Sequence, residues 1–259
     1  MFLNKINVNK LDNIKYFVFC SGKTGSRTLF GGMKNKFGSN SVIHLHSTAH
    51  FKGGHPRHGD VKKLITDSSK KFDKIYIIDS YREPFERGIS SFFQNIDKHC
   101  PNWRSMSVDE IIIFFNENKL YLLDIYHSYH ESWGYFNIPV DVSFDFEKGY
   151  IIREHENMVF VKTRLKESHR WNQIFSEVFG SDINFNYEND SSDKDYFTLY
   201  SEFKQKYKLP QEIKNNFLSI LKSDLNDLNR TTPFYLTWSE MKKFMTKTEI
   251  SNYLKKWIY

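Results

Sequence analysis

The sequence predicts an α/β fold: a central, mainly parallel sheet flanked by helices, with a helical part at the C-terminal end. Short apolar runs rich in aromatic and β-branched residues recur at Tyr16–Cys20, Ser41–His46 and Lys74–Ser80. The stretches between them carry helical spacing, the alternation expected of βαβ units and a parallel sheet. The first run breaks into the small-residue loop Ser21-Gly22-Lys23-Thr24-Gly25-Ser26 and resumes as a helical turn, Arg27-Thr28-Leu29-Phe30. At 259 residues the chain is long enough for one sizeable domain. We expect a single domain over 1–259, its helical C-terminal part beginning near residue 196.

Strand, glycine loop and helix N-terminus make a site for a phosphate-like group. First-turn N–H groups have no partner inside the helix, and the positive end of the dipole points at whatever sits there. Lys23 adds a full positive charge on a flexible stem. The loop is not a Walker A motif, G-x-x-x-x-G-K-[ST]. Gly22-Lys23-Thr24 supplies the end of that pattern, but its first glycine would fall on Phe17, and a glycine follows the lysine at Gly25. An ordinary glycine-containing strand-to-helix turn is the plain alternative.

The second strand runs into a loop at His44-Leu45-His46. A helix over 61–71 leads back to the third strand. Ligands of such sheets gather at the carboxyl ends of the strands, so the loops after Cys20, His46 and Ser80 should converge. After Ser80, Pro84 suits the first turn of a helix and Glu86 lies near its positive end. Arg82 stands just before that helix and Ser90 along it. A guanidinium can grip phosphate through parallel hydrogen bonds, although a surface ion pair with Glu83 or Glu86 would explain Arg82 alone.

Further on, 108–117 and 121–133 read as helices whose aromatics suit a core; Trp103 and Trp133 fit either core or sugar platform. The stretch 181–195 is Ser/Asn/Asp-rich and reads as a loop. Helices are expected at 196–207 and 211–228. Thr237-Trp238-Ser239-Glu240 and Thr246-Lys247-Thr248-Glu249 fit capping boxes and predict two short C-terminal helices.

Lys23 to Thr28, K-T-G-S-R-T, resembles the 5′-phosphosulfate loop of sulfotransferases that use 3′-phosphoadenosine 5′-phosphosulfate (PAPS). Arg82 to Phe92, R-E-P-F-E-R-G-I-S-S-F, is similar to their second signature, R-[DE]-P-x-x-R-x-x-S-x-[FY]. Ile43 to Ser47, I-H-L-H-S, looks like the H-x-H segment of heparan sulfate 2-O-sulfotransferases and related uronyl enzymes, which also precedes an aliphatic strand and an R-D-P-x-E-R helix. Phe146 to His155 with Met158 to Lys162 resembles bacterial capsule-type sulfotransferases, where a hairpin leads to a strand and then a helix, here 166–179. The likeness covers roughly the first two-thirds of the chain, firmest at the two anion-binding segments.

That resemblance implies a P-loop-like fold and a PAPS-dependent carbohydrate O-sulfotransferase, with 3′,5′-ADP as product and no metal required. It assigns Lys23, Thr24, Gly25, Ser26, Arg27 and Thr28 to the 5′-phosphosulfate, and Arg82 and Ser90 to the 3′-phosphate. In relatives a basic residue near 181–195 often closes over the nucleotide; Lys194 is the candidate, with a solvated lysine as the plain alternative. Sulfuryl transfer also needs a base for the acceptor hydroxyl, most easily a histidine near neutral pH. His46 aligns with the second His of the H-x-H likeness and is the expected base. Strand alternation sets His44 on the same side, to orient substrate or share the role.

His44, His46, His50, His55 and His58 also raise a metal site, but metal ligand sets usually mix His with Asp, Glu or Cys, and only Asp60 is near. Phe51 to Gly59 is glycine-rich and basic, suited to gripping an anionic acceptor through Lys52 and Arg57. The net charge of +6 favours anionic ligands. No dense basic tract or zinc-finger spacing points to nucleic acid. Two cysteines, Cys20 and Cys100, make no disulfide framework, and Cys20 reads as a buried small side chain.

No apolar run is long enough for a bilayer and no signal-peptide core is present, so the expectation is a soluble, cytoplasmic enzyme, with peripheral membrane contact and oligomeric state left open. Two rival readings stand beside it: a nucleotide-dependent phosphotransferase using the same loop with Mg2+, and a non-catalytic glycan-binding or capsule-assembly protein.

Overall fold

The structure, a computed structural model, describes residues 13–46, 61–120, 133, 136–138, 144–186, 194–215 and 241–257. The chain divides into two compact units, one comprising 1–82 with 130–188 and the other 83–129 with 189–259.

The first unit is built on a five-stranded sheet in the order β2-β1-β3-β5-β4. Its strands are β1 (Tyr16–Phe19), β2 (Val42–Leu45), β3 (Ile75–Tyr81), β4 (Tyr150–His155) and β5 (Met158–Arg164). β1 pairs parallel with β2 and β3, and β3 with β5; only the edge strand β4 runs antiparallel, on β5. The mainly parallel α/β sheet expected from the apolar runs is therefore present, with the third strand shifted by one residue, Ile75–Tyr81 in place of Lys74–Ser80. The hairpin expected around 146–162 is β4 and β5.

Strand alternation sorts the side chains onto two faces. Tyr16, Val18, Cys20, Val42, Ile78, Val159 and Val161 share one core with Leu29 and Met33 of α1 (Ser26–Phe37) and with Trp171, Ile174 and Phe175 of α5 (Trp171–Phe179). On the opposite face Phe160 meets Trp133 and Phe136 edge-on, at 6.3 and 5.5 Å between ring centroids. Lys62, on α2 (Val61–Ser69), lies over the Phe136 ring, which sets that helix on this second face. The β1–β2 and β2–β3 connections run toward opposite edges, so right-handed crossovers require this arrangement. The helix expected over 166–179 begins as a 3-10 segment at Leu165–Arg170.

The second unit contains α3 (Pro84–Gln94), α4 (Val108–Glu117), α6 (Phe197–Lys206) and α7 (Lys247–Trp257), with helical stretches at 211–215 and 241–244. Its core is aromatic: Phe115 packs edge-on against Phe92 and Phe203, and Phe203 stacks on Tyr207. The Thr246/Glu249 box closes reciprocally, Glu249 N–H donating to Thr246 Oγ1 at 3.1 Å and Thr246 N–H to Glu249 at 2.7 Å. Ser107 and Glu110 form a second box at α4. The helix expected over 121–133, the Thr237 box and the later part of 211–228 lie largely or wholly outside the described residues. No helix among the described residues is long and apolar enough to cross a membrane.

Candidate anion site at the strand carboxyl ends

The loop after β1 turns sharply because two of its residues adopt left-handed backbone, Lys23 at φ 70° and Gly25 at φ 81°. Such a conformation costs a non-glycine residue of order 1–3 kcal/mol, so Lys23 is held there by its surroundings. Gly25 is required twice over. Besides its φ, a Cβ there would lie 2.6 Å from Trp171 Cη2 and 2.8 Å from Leu165 Cδ1. Gly25 is also the N-cap of α1, and having no side chain it leaves the first-turn N–H groups uncapped by its own residue. No acidic residue occupies the first turn. Thr24 is buried and its hydroxyl donates to the Ser21 carbonyl at 2.8 Å, which spends that group on shaping the loop. Ser26 and Thr28 are also buried, whereas Arg27 is exposed.

Arg82 enters this site from the end of β3. Its Nη1 donates to the carbonyl of Lys23 at 3.1 Å, joining residues 59 apart in the chain. The two segments singled out for anion chemistry therefore meet through one charge-assisted hydrogen bond. Compared with protein-family models, with curated proteins and with solved structures, the chain matches none.

The histidines expected together are together. His44 and His46 face each other edge-to-face with centroids 4.3 Å apart, and His44 stacks on Phe30 of α1 at 5.2 Å. Burial first, then the positive fields of His46 and Arg27, lower the His44 pKa from 6.5 to about 3. His44 therefore stays neutral at ordinary pH, and its Nε2 is buried without a hydrogen-bond partner. Cys20 is buried, its thiol near the Ile78 carbonyl at 3.6 Å, and burial raises its pKa well above the ordinary thiol value. A thiol so placed is no nucleophile.

Several supporting residues carry no motif that sequence reading could find. Trp171 and Leu165 brace the loop at Gly25. Below the site Lys162 pairs with Asp79 at 3.1 Å, both almost fully buried, across parallel neighbours of the sheet. Arg164 lies over the rings of Phe144 and Phe146 and pairs with Glu167.

Other expected residues fall elsewhere. Ser90 and Lys194 belong to the second unit, Ser90 half-buried on α3 and Lys194 exposed. Trp103 is core, its indole N–H bound to Asp97 at 2.8 Å, and Trp133 is buried. His50, His55, His58, Asp60, Lys52 and Arg57 lie outside the described residues. Among the described residues no group of His, Cys, Asp and Glu could hold a metal ion.

Proposed function

We propose that this chain is a P-loop-like, PAPS-dependent sulfotransferase that moves a sulfuryl group to a hydroxyl of a carbohydrate. The observation that carries the reading is the Arg82–Lys23 hydrogen bond, which joins two separate anion-binding segments at the carboxyl end of one sheet. The residues present fit the donor: an uncapped helix N-terminus without nearby acids, a cation at Lys23, and a glycine where a side chain would close the loop.

Bound PAPS supplies a sulfuryl group on a phosphate leaving group. Lys23 and the N–H groups of the α1 first turn stabilise negative charge at the 5′-phosphate. Arg82 holds the 3′-phosphate, a role that rests on its match to the second signature, of which Ser90 is the other phosphate-binding position. His46 accepts the proton of the acceptor hydroxyl. His44 is too weak a base to share that task, because it remains neutral down to a pH of about 3. It serves instead as an aromatic spacer between Phe30 and His46. The carbohydrate acceptor follows from the H-x-H likeness and the basic balance of the chain.

The test is retention on immobilised 3′,5′-ADP together with sulfate transfer from PAPS to a panel of glycans. Retention and transfer are expected. Tight Mg-ATP binding without retention would favour a phosphotransferase, and retention without any transfer a binding protein. His46→Ala should lower turnover by about 10²- to 10⁴-fold with nucleotide affinity kept. Unchanged turnover would remove His46 from the role.

A further inference from the structure

Ser80 stands near the carboxyl end of β3 with its side chain on the α1 face of the sheet, since Ile78, two positions earlier, belongs to the core shared with α1. On that face its neighbours are Cys20, which ends the β1 run, and Thr163, opposite Ser80 in the register of β3 and β5. Ser80 is 3% exposed, and its Oγ has no hydrogen-bond partner among the described residues. The buried hydroxyls around it are engaged. Thr24 donates to the Ser21 carbonyl at 2.8 Å, and Thr163 to the Gly149 carbonyl at 2.9 Å.

The anion loop passes over this position. The Lys23 carbonyl meets Arg82, two residues beyond Ser80, and Gly25 packs against Leu165 and Trp171, which follow β5. With β3 lying between β1 and β5, a loop that leaves β1 and reaches those residues crosses the end of β3. Burial, then Asp79, raise the Cys20 pKa, while the Ser80 backbone, Lys162 and the Thr24 side chain pull it back, so this one thiol lies against both Ser80 and the loop. Ser80 is also held in place from below. Asp79 accepts its N–H at 2.7 Å through one carboxylate oxygen and pairs with Lys162 at 3.1 Å through the other.

We propose that Ser80 is a further binding residue of this site, its hydroxyl donating to an oxygen of the phosphate or sulfate group seated at the N-terminus of α1. The proposal rests on the sulfotransferase reading for the identity of that group, the 5′-phosphosulfate of the donor. On the same face the first turn of α1 has no side-chain cap from Gly25 and no acid beside it. A hydroxyl kept dry without a partner costs the free protein stability, and an anionic oxygen, a strong acceptor, removes that cost only in the bound state.

The test is Ser80→Ala in the full chain, read in two ways. Urea unfolding without ligand should give a midpoint equal to or above that of the wild type, because the hydroxyl stabilises nothing in the free fold. Calorimetry should show 3′,5′-ADP bound about tenfold to a hundredfold more weakly, as for loss of one hydrogen bond to a charged group. Adenosine 3′-phosphate, which lacks the 5′-phosphate, should bind as it does to the wild type. A lowered midpoint, or equal weakening of both nucleotides, would make the hydroxyl structural and overturn the proposal. Unchanged affinity for 3′,5′-ADP in the variant would overturn it as well, and leave the sulfotransferase reading standing. A wild type that binds neither nucleotide removes that reading itself, and the proposal with it.

Discussion

The N-termini of α1 and α3 follow parallel strands of the same sheet, yet they are finished in opposite ways. α1 starts at a left-handed glycine with no side chain, has no acid in its first turn and is preceded by a lysine. α3 starts at Glu83 and Pro84, carries Glu86 in its first turn and gives its Phe85 N–H to Tyr253. Both ends carry the same helix dipole, so the dipole alone selects nothing. What differs is which donors the fold leaves for a ligand. The first end has neither a side-chain cap from Gly25 nor an acid in its first turn. At the second, proline removes one donor and Tyr253 takes the next.

The comparison breaks most completely at Gly25. Gly25→Ala would place a methyl against Trp171 and Leu165 at a φ of 81°. It should cost about 2–4 kcal/mol in urea unfolding and abolish 3′,5′-ADP binding, as strain and overpacking add. Next come the cations. Lys23→Ala or Arg82→Ala should each weaken 3′,5′-ADP binding by about 1.5–3 kcal/mol in calorimetry. The double variant should lose less than the sum, because Arg82 also holds the Lys23 carbonyl. Full affinity in both single variants would mean the loops are misassigned.

His44 gives a smaller, pH-dependent effect. Its pKa falls from 6.5 to about 3 on folding, so between these values the unfolded chain binds more protons at this position than the folded one. Stability contributed here is complete above pH 6.5 and is lost as the pH drops toward 3, by up to about 1.4 kcal/mol per pH unit. His44→Phe keeps a ring against Phe30 and should flatten that acid limb relative to wild type in urea titrations; identical limbs would contradict the buried neutral imidazole. Smallest is Thr246→Ala, which removes the α7 cap and should cost about 1 kcal/mol in urea unfolding, without altering the α1 end.

What the sequence made legible was local. The apolar runs of β1, β2 and β3, the turn at Lys23 to Gly25 and the Thr246/Glu249 box each depend on neighbours a few residues apart, and each stands in the structure. The closeness of His44 and His46 followed from strand period alone. The hydrogen bond from Phe85 N–H to Tyr253 was not legible, because the two residues are 168 positions apart. Trp171 and Leu165 likewise look like ordinary apolar residues until the sheet brings them under Gly25. The early start of the 166–179 helix as a 3-10 segment was hidden for a related reason: Arg164, Glu167 and Arg170 form a compact charged group there, and its spacing also fits an α-helix.

The buried pair of Asp79 and Lys162 has a consequence for assembly of the sheet. These residues oppose each other in the parallel register of β3 and β5. A slip of a single position would turn one of them to the other face, stranding each charge in an apolar layer at a cost of several kcal/mol. Parallel ladders of β-branched residues tolerate sliding, since one aliphatic side chain resembles the next. A pair of opposite charges does not, so it works like a dowel that admits a single alignment. It thereby sets how far β5 reaches, and with it the height at which Leu165 and Trp171 support the loop above.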